Sequence, residues 1–124
     1  MTKVKDVTPS AAHAMTKKGA LLVDVREPGE VAGKSFDIPD IMLVPLSKFE
    51  KCCIEIPSDR QVIIACNSGN RSMMAARMLM NQGYRRVANL QHGIIRWEME
   101  GLPVKKKPKQ NLMSLLLKKF SGRS

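Results

Sequence analysis

Short apolar runs separated by helix-length stretches constrain this fold more than any other feature. Leu21–Val25 (LLVDV), Ile41–Val44, Val62–Ala65 (VIIA) and Arg86–Leu90 are each four or five residues long. Aliphatic and β-branched residues at successive positions over that length read as strands buried on both faces. Lys3–Val7 alternates weakly and reads as a further short strand. The stretches between these runs carry helix signals, so the strands are expected to run parallel, joined by helical crossovers. The expected class is α/β, with a parallel sheet covered on both faces.

Start and stop residues mark the connections. Thr8 reads as a cap with Pro9 at the first helical position, continuing through Lys18 to Gly19. Arg26-Glu27-Pro28-Gly29 reads as a turn into a short helical piece ending at Gly33. Ser47 is expected to cap a helix through Cys53, with Glu50 completing a capping box. Pro57-Ser58-Asp59 makes a turn. Arg71–Gln82 reads as a helix closed by Gly83, and Gly93–Glu100 as a helix ended by Gly101 and Pro103. Ligands in such sheets bind beyond the carboxyl ends of the strands, and Cys66 falls there.

Cys66 follows the apolar run 62–65 and precedes a polar loop, Asn67-Ser68-Gly69-Asn70, after which Arg71 opens the helix. Amides of such a loop and of a first helical turn have no intrahelical partner and can converge on the sulfur. The helix dipole and Arg71 would then stabilise a thiolate and lower its pKa. That is the setting of a cysteine nucleophile. A cation is disfavoured at a helix N-terminus, so Arg71 is expected to face an anion there, the loop sulfur or its donor.

Composition narrows the setting. A chain of 124 residues with 44% apolar residues is one ordinary globular domain by length. Three cysteines is an odd number that does not suggest a disulfide scaffold, so a reducing, cytoplasmic setting is expected. No apolar run approaches a membrane span, and MTKVKDVTPS lacks the apolar core of a signal peptide. The net charge of +10 is uneven: residues 1–103 carry +3, and residues 104–124 carry seven Lys/Arg and no acid. The basic balance therefore belongs to the tail, and no nucleic-acid binding is expected of the fold.

Four separate stretches resemble the rhodanese (thiosulfate sulfurtransferase) superfamily, in its single-domain form. Val23-Asp24-Val25-Arg26-Glu27 is similar to the family's strand-end D-x-R sequence. Asp37-Ile38-Pro39 with Val44-Pro45-Leu46 is similar to its H-I-P-G-A…I-P-L stretch. Cys66 to Arg71 is similar to its C-x-x-G-x-R loop, and Gly93–Trp97 with Gly101–Val104 to its closing G-G-x-x-x-W…G-L-P-V. The likeness runs from about Lys5 to Val104. It implies a three-layer α/β/α fold with a central five-stranded parallel sheet over residues 1–104, followed by a basic tail, 105–124. It also implies transfer of a sulfane sulfur, without a cofactor, from thiosulfate, polysulfide or a persulfide to a thiol or cyanide, the alternative being a sulfur-carrier module that recognises a partner through residues 105–124. The carrier would be a persulfide on Cys66. The loop amides of Asn67, Ser68, Gly69, Asn70 and Ser72 would hold that persulfide, and Arg71 would supply charge and fix the loop's geometry. Asp37 and Asp40 stand where the family usually has His and Gly, so that edge of the site is expected to be more acidic. His92 replaces the first glycine of the usual pair.

Other residues carry competing readings. Phosphatases and arsenate reductases on related folds also set Cys and Arg around an amide-lined loop, but with one more residue between the two. The four here (Asn67, Ser68, Gly69, Asn70) suit a single sulfur better than a tetrahedral oxyanion. Asp24 and Arg26 are expected to form a structural pair bracing the loop, since a polar group interrupting a buried strand must be satisfied. His13 and His92 have no partners at ligand spacing, so no metal site is expected. Cys52-Cys53 reads either as apolar filler or as a resolving thiol for Cys66. The tail carries Leu112, Met113, Leu116, Leu117 and Phe120 near one helical face. It could dock on the domain, on a partner protein, or on an anionic membrane surface.

Overall fold

The computed structural model describes residues 3–107. The expected amphipathic helix in the tail lies outside them. The elements run β1 (Lys5–Val7), α1 (Pro9–Lys17), β2 (Leu21–Asp24), α2 (Pro28–Gly33), β3 (Lys34–Phe36), β4 (Ile41–Leu43), α3 (Phe49–Cys52), β5 (Val62–Ala65), α4 (Asn70–Asn81), β6 (Val87–Leu90), α5 (Gly93–Met99) and β7 (Val104–Lys106). Five strands form the expected parallel sheet, in the order β1-β6-β5-β2-β4. No helix among the described residues is long and apolar enough to cross a membrane.

Alternation along the strands divides the core in two. Leu21, Val23, Val62, Ile64 and Cys66 face one layer with Phe49 of α3 and Ala75, Ala76 and Leu79 of α4. Leu22, Ile63, Ala65 and Leu90 face the other, with Ala12 of α1 and Ile94 and Trp97 of α5. Each fully buried Leu or Ile stabilises the fold by about 1.5–3 kcal/mol. Trp97 is fully buried, packs edge-on against Phe36 and His13, and donates Nε1–H to the Pro103 carbonyl at 2.9 Å. Small alanines on the buried face of α4 let that helix lie close to β5, which fixes where its N-terminus meets the end of the strand.

The strand order reverses between β2 and β5. The chain leaving β2 goes to β4 on one side, and the chain leaving β5 goes to β6 on the other. Their two loops diverge at the carboxyl ends, and this switch point is the usual ligand site in such sheets. Residues 25–30 and 66–72 border it.

Three expectations are corrected. Ser47 caps no helix: Leu46–Lys48 is a single 3₁₀ turn, and Ser47 Oγ donates instead to Glu27 Oε1 at 2.7 Å. The basic tail expected from Lys105 begins in paired structure, because β7 runs antiparallel to β3. Lys106 and Lys34 both reach Glu98, and Lys105 lies 3.5 Å from Asp37. Nor is the site edge more acidic at Asp37 and Asp40. Asp37 faces Lys105, while Asp40 pairs with Arg60 and accepts from Leu22 N at the start of β2, the edge of the sheet opposite Cys66.

Candidate active site

Cys66 is the residue after β5, and its side chain points to the α4 layer. The chain must turn within four residues to enter α4. Gly69 permits that turn at φ +107°, a backbone region costly for any residue with a Cβ. The turn brings the Gly69 N–H to 3.0 Å from Cys66 Sγ, and Ser72 Oγ, on the first turn of α4, lies 3.3 Å from the same sulfur. Burial pushes the Cys66 thiol up. Hydrogen bonds from the Ser72 hydroxyl and the amides of Ser72, Gly69 and Ser68 outweigh it, and the thiol sits below its ordinary value. The sulfur is thus held as a stabilised anion would be, in a cradle of donors.

The N-terminus of α5 aims the loop from behind. Ile94 N–H donates to the Cys66 carbonyl at 3.0 Å and Ile95 N–H to the Asn67 carbonyl at 3.3 Å. This approach requires glycine at 93, since a Cβ there would lie 2.3 Å from Asn67 O. The preceding His92 takes φ +62° without being glycine. It is exposed and belongs to no dyad with Cys66. It lines a depression of about 200 Å³ with Asp6, Ser68, Asn70, Met73 and Asn89 on the outer side of the loop.

The anion that Arg71 contacts directly is Glu30, and Cys66 acts on its guanidinium only as a further, coulombic influence. Arg71 Nη1 and Nη2 donate to Glu30 Oε1 and Oε2 of α2 at 2.7 and 2.8 Å, a bidentate pair. Hydrogen bonding from Arg71 holds the Glu30 carboxyl down at about 2, against the smaller upward effect of burial. The same contact raises the Arg71 guanidinium. Glu30 Oε1 also accepts from the Glu27 N–H at 3.0 Å, so α2 carries its own N-terminal brace. Nothing local in the sequence marks Glu30; only the strand order brings it to Arg71.

Asp24 and Arg26 form the buried pair expected of them, 0% and 2% exposed. Arg26 Nε and Nη2 both reach the carboxylate, the shortest contact being 2.8 Å, and the Arg26 N–H donates to Asp24 Oδ1 at 3.0 Å. Arg26 Nη1 then reaches the Glu30 carbonyl at 3.5 Å, and its guanidinium lies over the Phe36 ring. The pair therefore braces α2 and not the Cys66 loop directly. Of the other loop residues, Asn67 is half-buried, while Ser68 and Asn70 are exposed at the rim.

The structure places Cys53 beside the far end of α4 from Cys66. Cys53 is buried, with Sγ 3.7 Å from the Glu50 carbonyl and 3.6 Å from Gln82 Oε1. Gln82 closes the far end of α4, and a helix of 12 residues spans about 18 Å. Cys66 lies at the other end.

Sequence comparison agrees with this geometry. The family model described as Rhodanese-like domain matches residues 8–100. A protein named sulfurtransferase from Allochromatium vinosum is 49% identical over 84 residues, covering 68% of this chain and 77% of that one. Thiosulfate sulfurtransferase GlpE of Pseudomonas syringae is 34% identical over 97 residues, covering 78% of this chain and 90% of its own. Among solved structures, a rhodanese-related protein from Thermoplasma volcanium superposes with a TM-score of 0.73 at 25% identity, covering 83% of this chain and 99% of that one. With an α/β/α sheet, a cysteine cradle at its switch point and relatives that cover most of its length, this chain belongs to the rhodanese-like domain family.

Proposed function

We propose that this protein is a sulfurtransferase that moves a sulfane sulfur from a donor to a thiol or cyanide through a persulfide on Cys66. The observation that carries the reading is the cradle. The Cys66 sulfur receives an amide at 3.0 Å and lies 3.3 Å from the Ser72 hydroxyl, a setting that supports a sulfur-centred anion. Cys66 thiolate attacks the outer sulfur of the donor R–S–S⁻. The new S–S bond forms as the donor's S–S bond breaks, and R–S⁻ leaves with that electron pair. The charge now rests on the outer sulfur of Cys66–S–S⁻, within reach of the loop amides. An acceptor thiolate takes that sulfur and returns Cys66–S⁻.

The Arg71–Glu30 pair bears on the donor. Its net charge is near zero, so the loop offers amide dipoles more than a free cation. This favours polysulfides and organic persulfides over the thiosulfate dianion, and it disfavours the phosphatase and arsenate reductase readings, which need a cation for a tetrahedral oxyanion. Residues 108–124 remain the proposed route to a protein partner or an anionic membrane surface.

Intact mass after incubation with polysulfide, thiosulfate or a phosphate ester tests the reading. A gain of about 32 Da, reversed by thiol, is the covalent trace expected, and Cys66→Ser abolishes it. No gain with any sulfur donor, or sulfur transfer retained in Cys66→Ser, sinks the proposal.

A further inference from the structure

A line of buried polar groups runs from Cys66 across α4 and β6 to the surface. Ser72 is fully buried and Asn89 is 3% exposed. Ser72 Oγ lies 3.3 Å from Cys66 Sγ, 3.2 Å from the Gly69 carbonyl and 2.5 Å from Asn89 Oδ1. Asn89 Nδ2 donates to Asp6 Oδ1 at 2.9 Å and approaches the Gly69 carbonyl at 3.4 Å. Asp6 and Asn89 are paired residues of adjacent parallel strands, which sets the two side chains next to each other on one face.

These contacts fix which way the amide points. A carboxylate and a carbonyl only accept, so the amide nitrogen must face Asp6 and Gly69, and its oxygen must face Ser72. Towards Ser72, therefore, Asn89 can only accept. The Ser72 hydroxyl has one proton, with Asn89 Oδ1, the Gly69 carbonyl and Cys66 Sγ as competitors for it, and Asn89 Oδ1 is the nearest of the three. With Cys66 as a thiol, S–H donates to Ser72 Oγ, and Ser72 donates to Asn89: every group is satisfied. With Cys66 as a thiolate, Ser72 must turn its proton to sulfur, and a buried amide oxygen loses its donor, which is costly. With Cys66 persulfidated, the inner sulfur is uncharged, and the Ser72 proton returns to Asn89.

We propose that Asn89 is a positioning residue for Cys66, acting through Ser72: it withholds the Ser72 proton from an anionic Cys66 sulfur and so favours the states in which that sulfur is uncharged, the thiol and the persulfide. Asp6 holds Asn89 in the accepting orientation. The assignment of the loaded state rests on the persulfide reading above. The effect on the empty cysteine does not, and the two can fail separately. The charged groups set around Cys66 are Arg71 of α4, Glu30 and its neighbour Glu27, the Asp24–Arg26 pair at the end of β2, Asp6 of β1, and the titratable His92 before α5. Only Asp6 is changed in the test.

The test is the rate of iodoacetamide alkylation of the Cys66 peptide across pH, read by mass in the full chain. No sulfur donor is involved. Asn89→Leu leaves Ser72 free to donate to sulfur, so alkylation at pH values below the midpoint rises about fivefold, the worth of roughly one hydrogen bond. Ser72→Ala lowers it by a similar factor, and in that background Asn89→Leu has no further effect. Asp6 is exposed and keeps the test independent of folding in the core. Asp6→Ala lets the amide turn and present N–H to Ser72, shifting alkylation in the direction of Asn89→Leu. Asp6→Asn keeps an acceptor without the charge and shifts it less. An unmoved or raised midpoint in Asn89→Leu, or the same shift persisting without the Ser72 hydroxyl, overturns the proposal. So does an Asp6→Asn shift equal to that of Asp6→Ala.

Discussion

Arg71 places both terminal nitrogens on Glu30, 2.7 and 2.8 Å away, on a helix that leaves the neighbouring strand in the opposite direction. The loop's single cation is therefore shared, and each group is about a third exposed. Glu30→Gln keeps an acceptor but frees the charge. Sulfur loading from the thiosulfate dianion is expected to rise relative to a singly charged organic persulfide, by up to about fivefold, the upper range for a solvent-exposed pair. An equal change with both donors would mean that Arg71 is structural only.

The same pair gives an acid signature. Glu30 is held at about 2 in the fold against an ordinary 4.5, so its contribution is complete above 4.5 and lost as pH falls from there towards 2. For groups this exposed the contribution is about 1 kcal/mol or less. Urea unfolding at pH 7 and pH 3 should show wild type losing more stability than Glu30→Gln over that interval. Equal losses would remove the pair from the account.

Gly93 and His92 make opposite predictions one residue apart. Gly93→Ala sets a Cβ against the Asn67 carbonyl and pushes the Cys66 loop off its support. A loss of more than about tenfold in persulfide loading and about 2 kcal/mol in stability is expected. His92→Gly relieves a left-handed backbone at φ +62° and is expected to stabilise the fold by about 1 kcal/mol. Urea midpoints decide both, and a destabilised His92→Gly would contradict the strain argument.

Breaking the buried Asp24–Arg26 pair should cost far more than its net worth. Asp24→Asn leaves the Arg26 guanidinium buried without a counter-charge, at an expected cost of about 3–5 kcal/mol. Replacing both, with Asp24→Asn and Arg26→Met, should recover most of that loss. A single variant costing under 1 kcal/mol would show that water reaches the pair.

Cys52→Ser together with Cys53→Ser should leave transfer to an added thiol within about twofold of wild type, because the Cys53 sulfur is engaged at Gln82, about 15 Å of helix beyond the Ser72 that touches Cys66. A larger loss would restore the resolving-thiol reading.

What the sequence disclosed was whatever is encoded locally. The strand Val62–Ala65, the turn at Gly69, the capped start of α1 and the buried Asp24–Arg26 pair each depend on neighbours a few positions apart. Ser47 misled because a capping box is a local pattern, whereas its hydroxyl is taken by Glu27, 20 residues earlier. Glu30 and Arg71 are 41 residues apart and Asp6 and Asn89 are 83 apart. Strand order alone makes them neighbours, and no periodicity records it. Gly93 was legible as part of a motif but not as a steric requirement, since the Asn67 carbonyl it must admit comes from another loop.

The short ribbon of β3 and β7 reaches beyond its own length. Lys107 N–H donates to the carbonyl of Gly33, the last residue of α2, at 3.0 Å. The helix that holds Arg71 at one turn is thus tied down at its end by the opposite end of the described chain. A truncation meant to remove only the basic tail would, if made at residue 104, untie that helix and alter the charge beside Cys66. A tail deletion placed after Lys107 keeps β7 and its bond to Gly33, so it compares chemistry with capture while that helix stays tied.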